Sequence, residues 1–291
     1  MPALRSGVLM KENNMQIVDT HAHIYHVDEK IYPMKDNPSR PPEGTGTIEH
    51  LRREAEKAGV HGVVLVQTGS AYQWDNRLVG DTAATNPDWT VGVCNLDPAA
   101  PESVGELERL VEGFNVKGLR MEPAQGEGVG FYHPGSVRLW EAAQRLGVVI
   151  CAHVSLPFLE QLGRLLGQFP EVPVVLDHCA YPKVGKGIED ETVKGVVELS
   201  DYNHLRVKLT FGVTASEQEH PFRDTHPLLL RFIEAFGPER CMWGSDFPCE
   251  HWLKKSTYVQ HLDVFREELG LSRAEQEAIL AQTPMQLWFG G

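Results

Sequence analysis

Short runs of apolar and β-branched residues recur along this chain, and between most of them the apolar positions change to helical spacing. The runs are Ile17–Ile24, Val60–Gln67, Thr90–Leu96, Val116–Glu122, Val148–Ser155, Val172–Cys179, Arg206–Gly212 and Cys241–Phe247. Most are almost continuously apolar, as expected of strands covered on both faces rather than half exposed. Helical patterns fall at Thr47–Ala58, Pro101–Phe114, Ser136–Leu146, Pro157–Phe169, Glu189–Leu199, Thr225–Phe236 and Thr257–Leu269. Gly59, Gly147, Gly237 and Gly270 each follow such a stripe, where a helix end takes a left-handed residue. Ser272–Gln282 opens on Ser-Arg-Ala-Glu, a capping-box pattern that predicts one further helix.

Strand and helix alternating about eight times predicts right-handed βαβ units and a parallel sheet. Eight units over roughly 250 residues match a closed barrel better than an open sheet. The expected fold is therefore α/β, a single-domain (β/α)8 TIM barrel spanning 15–291 behind a flexible leader at 1–14. The Pro- and charge-rich segment Tyr25–Gly46 is the one long connection, and such loops usually carry function. No G-x-G-x-x-G or G-x-x-x-x-G-K-[ST] follows the first strand, which argues against nucleotide binding.

Composition refines this picture modestly. The 291 residues are 42% hydrophobic and 23% charged, enough for a large core. A net charge of −13 argues against nucleic acid or an anionic membrane as partner, since the field repels phosphate. No apolar run reaches the roughly 18–20 residues that a membrane span needs. The five cysteines form no C-x-x-C pair, and four lie in or beside predicted strands, so a reducing cytoplasm is the expected setting. A small-molecule substrate is the expected partner, and a homo-oligomer is left open.

In a parallel barrel, reactive groups gather at the carboxyl ends of the strands. There the chain places Asp19-Thr20-His21-Ala22-His23, Arg120-Met121-Glu122, Cys151-Ala152-His153, Leu176-Asp177-His178 and Trp243-Gly244-Ser245-Asp246-Phe247-Pro248. His21 and His23 share one strand face and are able to bind a single divalent ion through nitrogen. Histidine-x-histidine also arises by chance, and a lone histidine is usually a surface or packing residue. The coincidence with His153, His178 and Asp246 at other strand ends is what makes the pair informative.

Those motifs, Asp-Thr-His-Ala-His at 19–23, Leu-Asp-His at 176–178 and Trp-Gly-Ser-Asp-Phe-Pro at 243–248, resemble the amidohydrolase 2 branch of the amidohydrolase superfamily. Within it the chain looks most like the pyrone-dicarboxylate, sulfomuconolactone and sugar-acid lactonases. The resemblance covers residues 15–291 and implies His21, His23, His153, His178 and Asp246 as candidate metal ligands. It also implies a lysine at the end of strand four that bridges two metals in many members. Arg120 and Glu122 stand there instead, so the expectation is one divalent ion, zinc by donor preference, or a metal-free site.

The implied activity is hydrolysis of a lactone or related ester-like bond in a small, anionic organic acid. Asp246 would take a proton from water and return it to the leaving oxygen. His178 would ligate or hydrogen-bond the carbonyl oxygen as charge develops. Arg120 is the candidate grip on a substrate carboxylate, its plainer role being a salt bridge to Glu122 or Asp19. Tyr25, Tyr32, Arg40, Trp74, Tyr181 and Arg223 are candidate pocket-wall residues, and Lys208 a candidate interior one. Two rival readings remain. One is a metal-dependent non-oxidative decarboxylase of an aromatic or muconate-type acid. The other is a binding protein without turnover.

Overall fold

The computed structural model describes residues 15–125, 130–252 and 255–290. The leader expected at 1–14 lies outside that set. Eight parallel strands run in chain order: β1 (Ile17–Ala22), β2 (Val60–Val66), β3 (Thr90–Asn95), β4 (Val116–Met121), β5 (Val149–Ala152), β6 (Val174–Leu176), β7 (Leu205–Lys208) and β8 (Cys241–Met242). β8 returns to β1 through hydrogen bonds from Thr20 N to Trp243 O, Asp246 N to His21 O and His23 N to Phe247 O. The sheet thus closes into the expected barrel.

Burial on both faces explains the continuous apolar runs. Alternate strand residues Val18, Val64, Val66, Val91, Val93, Val149, Cys151, Val175 and Met242 fill the interior, and Trp288 from the last helix plugs its lower end. The intervening positions, among them Val63, Leu65, Leu119, Ile150, Val174 and Val207, pack outward beneath the helices. A Cβ on Gly118 would come within 2.9 Å of the Trp288 ring, so a side chain there would collide with the plug.

Most expected helices form, somewhat shortened at their ends. Thr47 caps Ile48–Ala58 through its hydroxyl, and Gly59 closes it at φ 70°. The Ser272/Glu275 capping box is present, as is a second at Thr257/Gln260. The expected Thr257–Leu269 helix is α-helical only over Tyr258–Asp263 and widens to a π-turn over Val264–Glu268. A helix at Arg77–Thr85, between β2 and β3, escaped the sequence pattern. Its Gly80, Thr82 and Thr85 weaken helix propensity, and burial of Leu78, Val79 and Ala83 overrides that. Among the described residues, no helix is long and apolar enough to cross a membrane.

Candidate active site

A register shift between Asp19 and Ala22 on β1 decides where the two first-strand histidines point. Val18 faces the interior and Ala22 faces outward, so the alternation must slip once between them. Such a bulge re-aims side chains at a barrel rim. Here it turns His21 and His23 into the mouth. Asp19 anchors the bend, accepting from His21 N (3.0 Å), Ser245 N (2.8 Å), Ser245 Oγ (2.6 Å) and Tyr258 OH (2.8 Å). Through Ser245 the same carboxylate fixes the residue preceding Asp246.

His21 Nε2 and His23 Nε2 stand 3.2 Å apart, and Asp246 Oδ1 lies 3.6 and 3.7 Å from them. His178 joins from the end of β6, its ring 4.7 Å from that of His21 and its Nδ1 buried without a hydrogen-bond partner. Asp246 has φ 55°, and His178, Cys179, Ala180 and Tyr181 form an unbroken left-handed run at φ 53°, 47°, 59° and 62°. Left-handed conformations cost non-glycine residues roughly 1–2 kcal/mol each, and such strain concentrates at functional sites. This run stacks the Tyr181 ring on His178, 4.8 Å between centroids.

Beneath the mouth lies a buried charge network. Asp177 receives Arg120 Nε on Oδ2 and faces Lys208 Nζ on Oδ1, both at 3.1 Å. One carboxylate thus serves two cations. Burial alone would raise the Asp177 pKa, but Lys208 and Arg120 overcome it and hold the acid below its ordinary range. Arg120 therefore pairs with neither Glu122 nor Asp19, the partners its position suggested. It is buried yet lines the cleft. Lys208 is wholly buried and also touches His21 Nδ1 at 3.4 Å.

Burial pushes the Asp246 carboxyl up to about 7; Arg120 opposes this, and Asp177 and Asp19 reinforce it. Burial likewise lowers His23 to about 3 and drives His21 and His178 well below their ordinary value. At neutral pH the three imidazoles are uncharged, which suits them to donate hydrogen bonds or ligate rather than to act as cations.

The cleft above them has a volume of about 610 Å3. Its wall includes Arg120, His153, His178, Tyr181 and Asp246, all singled out in the sequence. His153 does not enter the His21–His178–Asp246 cluster: its Nδ1 meets Glu122 Oε1 at 3.0 Å, and its Nε2 meets the Tyr181 hydroxyl. Tyr25, Trp74 and Arg223 do not line the cleft. Tyr25 is buried among Tyr72 and His251, Trp74 lies half-buried in the turn after β2, and Arg223 is exposed beside Glu268. Tyr32 bonds Asp81, and Arg40 pairs with Glu29. Lys35, Phe211 and Trp252, which the strand-end motifs do not include, also line it. Lys35 belongs to the long Pro- and charge-rich loop already suspected of function. Phe211 and Trp252 follow β7 and β8 with no local motif to mark them.

His21, His178 and Asp246 offer ligand atoms within 4.8 Å of one another. The triangle of His21 Nε2, His23 Nε2 and Asp246 Oδ1 is close to the edge of about 3.3 Å that tetrahedral Zn–N bonds of 2.0–2.1 Å give. Spacing therefore suits one ion. The hydrogen bonds do not: a metal-bound histidine usually donates its second N–H to an acceptor, and the atom at 3.4 Å from His21 Nδ1 is the Lys208 ammonium. At the end of β4, Glu122 is engaged by His153 and Arg120 by Asp177, and no lysine stands there to bridge a second ion.

The amidohydrolase family model (Amidohydro_2) matches residues 18–290. A 4-sulfomuconolactone hydrolase from Rhizobium radiobacter is 25% identical over 236 residues, 79% of this chain and 75% of that protein. A D-galactarolactone isomerase from Agrobacterium fabrum strain C58 is 26% identical over 265 residues, 90% and 85% of the two chains. Among solved structures, a probable 2-pyrone-4,6-dicarboxylic acid hydrolase from Acinetobacter baumannii with citric acid bound superposes at TM-score 0.81, with 20% identity, over 94% of this chain and all of that one (100%). A zinc-bound amidohydrolase from Burkholderia multivorans gives TM-score 0.75 and 21% identity, over 94% and 99%. A 5-carboxyvanillate decarboxylase from Sphingomonas paucimobilis is more distant, at 0.65 and 16%, over 94% and 99%. With the motif-bearing strand ends converged on one cleft and the family model spanning almost the whole barrel, this chain belongs to the amidohydrolase family.

Proposed function

We propose that this protein hydrolyses a small anionic lactone, with Asp246 as the general base. The observation that carries the reading is the meeting of Asp246 with His21, His23 and His178 at the floor of a cleft that Arg120 also lines. Asp246 removes a proton from water as the water oxygen attacks the acyl carbon. The carbonyl oxygen gains negative charge, which a hydrogen bond from the neutral His178 imidazole at the cleft wall stabilises. The ring C–O bond then breaks, and its oxygen takes the proton back from Asp246.

Electrostatics supports an anionic substrate. Asp177 neutralises only one of the two cations it touches, so the buried Arg120–Asp177–Lys208 group carries a net positive charge. The Arg120 guanidinium contacts Asp177 through Nε, which leaves the terminal fork for a ligand carboxylate. Lactone hydrolases among the relatives point the same way. Zinc is the ion whose preference for nitrogen and oxygen ligands matches the donor set, and the Burkholderia neighbour holds zinc. The ring opening proposed here needs only the chain's own groups. Five buried free cysteines support a reducing, cytoplasmic setting.

The test is a panel of lactones bearing zero, one or two acid groups, followed by proton release and by carbon dioxide release. Acid-bearing lactones should open with proton release and no carbon dioxide. Carbon dioxide from an aromatic or muconate-type acid, or no turnover of any lactone, overturns the reading.

A further inference from the structure

A run of hydrogen bonds from the barrel rim into its interior fixes the protons on the two first-strand histidines. The Val66 carbonyl can only accept, so His23 Nδ1, 2.9 Å away, carries that ring's proton. With that proton on Nδ1, His23 Nε2 is the ring's acceptor. His21 Nε2 faces it at 3.2 Å. Two bare nitrogens would repel, so His21 Nε2 carries a proton and donates it. His21 Nδ1 is then bare and accepts from Lys208 Nζ at 3.4 Å.

Lys208 is the source of this order. It is wholly buried, lies 5.8 Å above the Trp288 ring and 3.8 Å from Cys151 Sγ, and its Nζ faces Asp177 Oδ1 at 3.1 Å. An ammonium has only donors to offer, so the imidazole nitrogen facing it must accept.

We propose that Lys208 is a positioning residue that fixes His21 in its Nε2–H tautomer from inside the barrel, turning its proton toward His23 and opposing capture of a divalent ion there. An ion shared by His21, His23 and Asp246 requires both Nε2 atoms bare. The His21 proton must then sit on Nδ1, facing the Lys208 ammonium, with Asp177 Oδ1 3.7 Å away and already paired. The inference stands whether or not the substrate is a lactone.

Two measurements test it. Long-range proton–nitrogen correlation spectra of the 15N-labelled wild-type protein report each imidazole tautomer, with assignments from His21→Gln and His23→Gln. His21 should be protonated at Nε2 and His23 at Nδ1; a His21 protonated at Nδ1 overturns the proposal. Zinc affinity is then measured by dialysis against a competing chelator, with metal content read by mass spectrometry and folding by near-ultraviolet circular dichroism. Lys208→Met should bind zinc about 10–100-fold more tightly than wild type, the range over which groups outside a ligand set tune affinity. Unchanged zinc affinity in a folded Lys208→Met protein overturns it. Should that variant not fold, the wild-type spectrum alone decides.

Discussion

The backbone N–H of Asp246 donates to the His21 carbonyl at 2.8 Å while its carboxylate stands 3.6 Å from the His21 imidazole. The link that closes the barrel between β8 and β1 thus also sets the general base against the histidine pair. Barrel closure and site assembly are one event, and predictions about Asp246 follow in both activity and stability.

Asp246→Asn should lower turnover by about 10²–10⁴, the usual contribution of a general base. The same change should stabilise the protein at alkaline pH. Burial raises this carboxyl from 3.8 to about 7, so the folded state holds the proton more tightly than the unfolded chain. The group's contribution to stability is therefore greatest below about pH 4 and is lost as pH rises through about 7. At pH 8 the variant should exceed wild type by at most about 4 kcal/mol, and near pH 4 the gap should close. Urea unfolding at the two pH values measures both.

The pH profile of kcat/KM offers an independent check. A base with a pKa of about 7 gives activity that rises tenfold per pH unit below that value and levels above it. The neutral imidazoles, all held well down by burial, should add no second break between about pH 5 and 9. A profile flat from pH 5 upward would remove Asp246 from the base role.

Arg120→Met should raise KM by roughly thirty-fold, near 2 kcal/mol for a lost charge-assisted contact, with a smaller effect on kcat. Arg120→Lys keeps the charge but loses the fork, and should fall between. A KM within about twofold of wild type in Arg120→Met would place the substrate anion elsewhere.

Arg223 was a reasonable pocket candidate from its place after the seventh strand, yet it lies exposed with Glu268 3.5 Å away. Arg223→Ala should leave kcat and KM unchanged and shift stability by less than about 0.5 kcal/mol. Steady-state assays and thermal melts suffice.

That contrast shows what the sequence made legible. Strand ends could be located because buried strands are continuously apolar, and in a barrel all their carboxyl ends meet. This recovered His21, His23, His178 and Asp246 together. Arg120 and Lys208 were visible as inward-facing cations, but their shared partner was not. Asp177 was read as part of a motif, and only the closed sheet shows it lying between β4 and β7. The loops were least legible. Tyr25 and Trp74 lie off the cleft, whereas Lys35 and Trp252 line it, because loop side chains follow tertiary contacts rather than period. The Arg77–Thr85 helix was missed for a similar reason, its glycine and threonines being outweighed by burial.

The central claim is that water, activated by Asp246, attacks the acyl carbon of a lactone. Single-turnover reaction of an acid-bearing lactone in 18O-enriched water, read by mass spectrometry, tests it directly. The account predicts one 18O atom in the new carboxylate, none in the released hydroxyl, and loss of incorporation in Asp246→Asn. A product without 18O, as internal transfer of the acyl group between hydroxyls would leave, would contradict it.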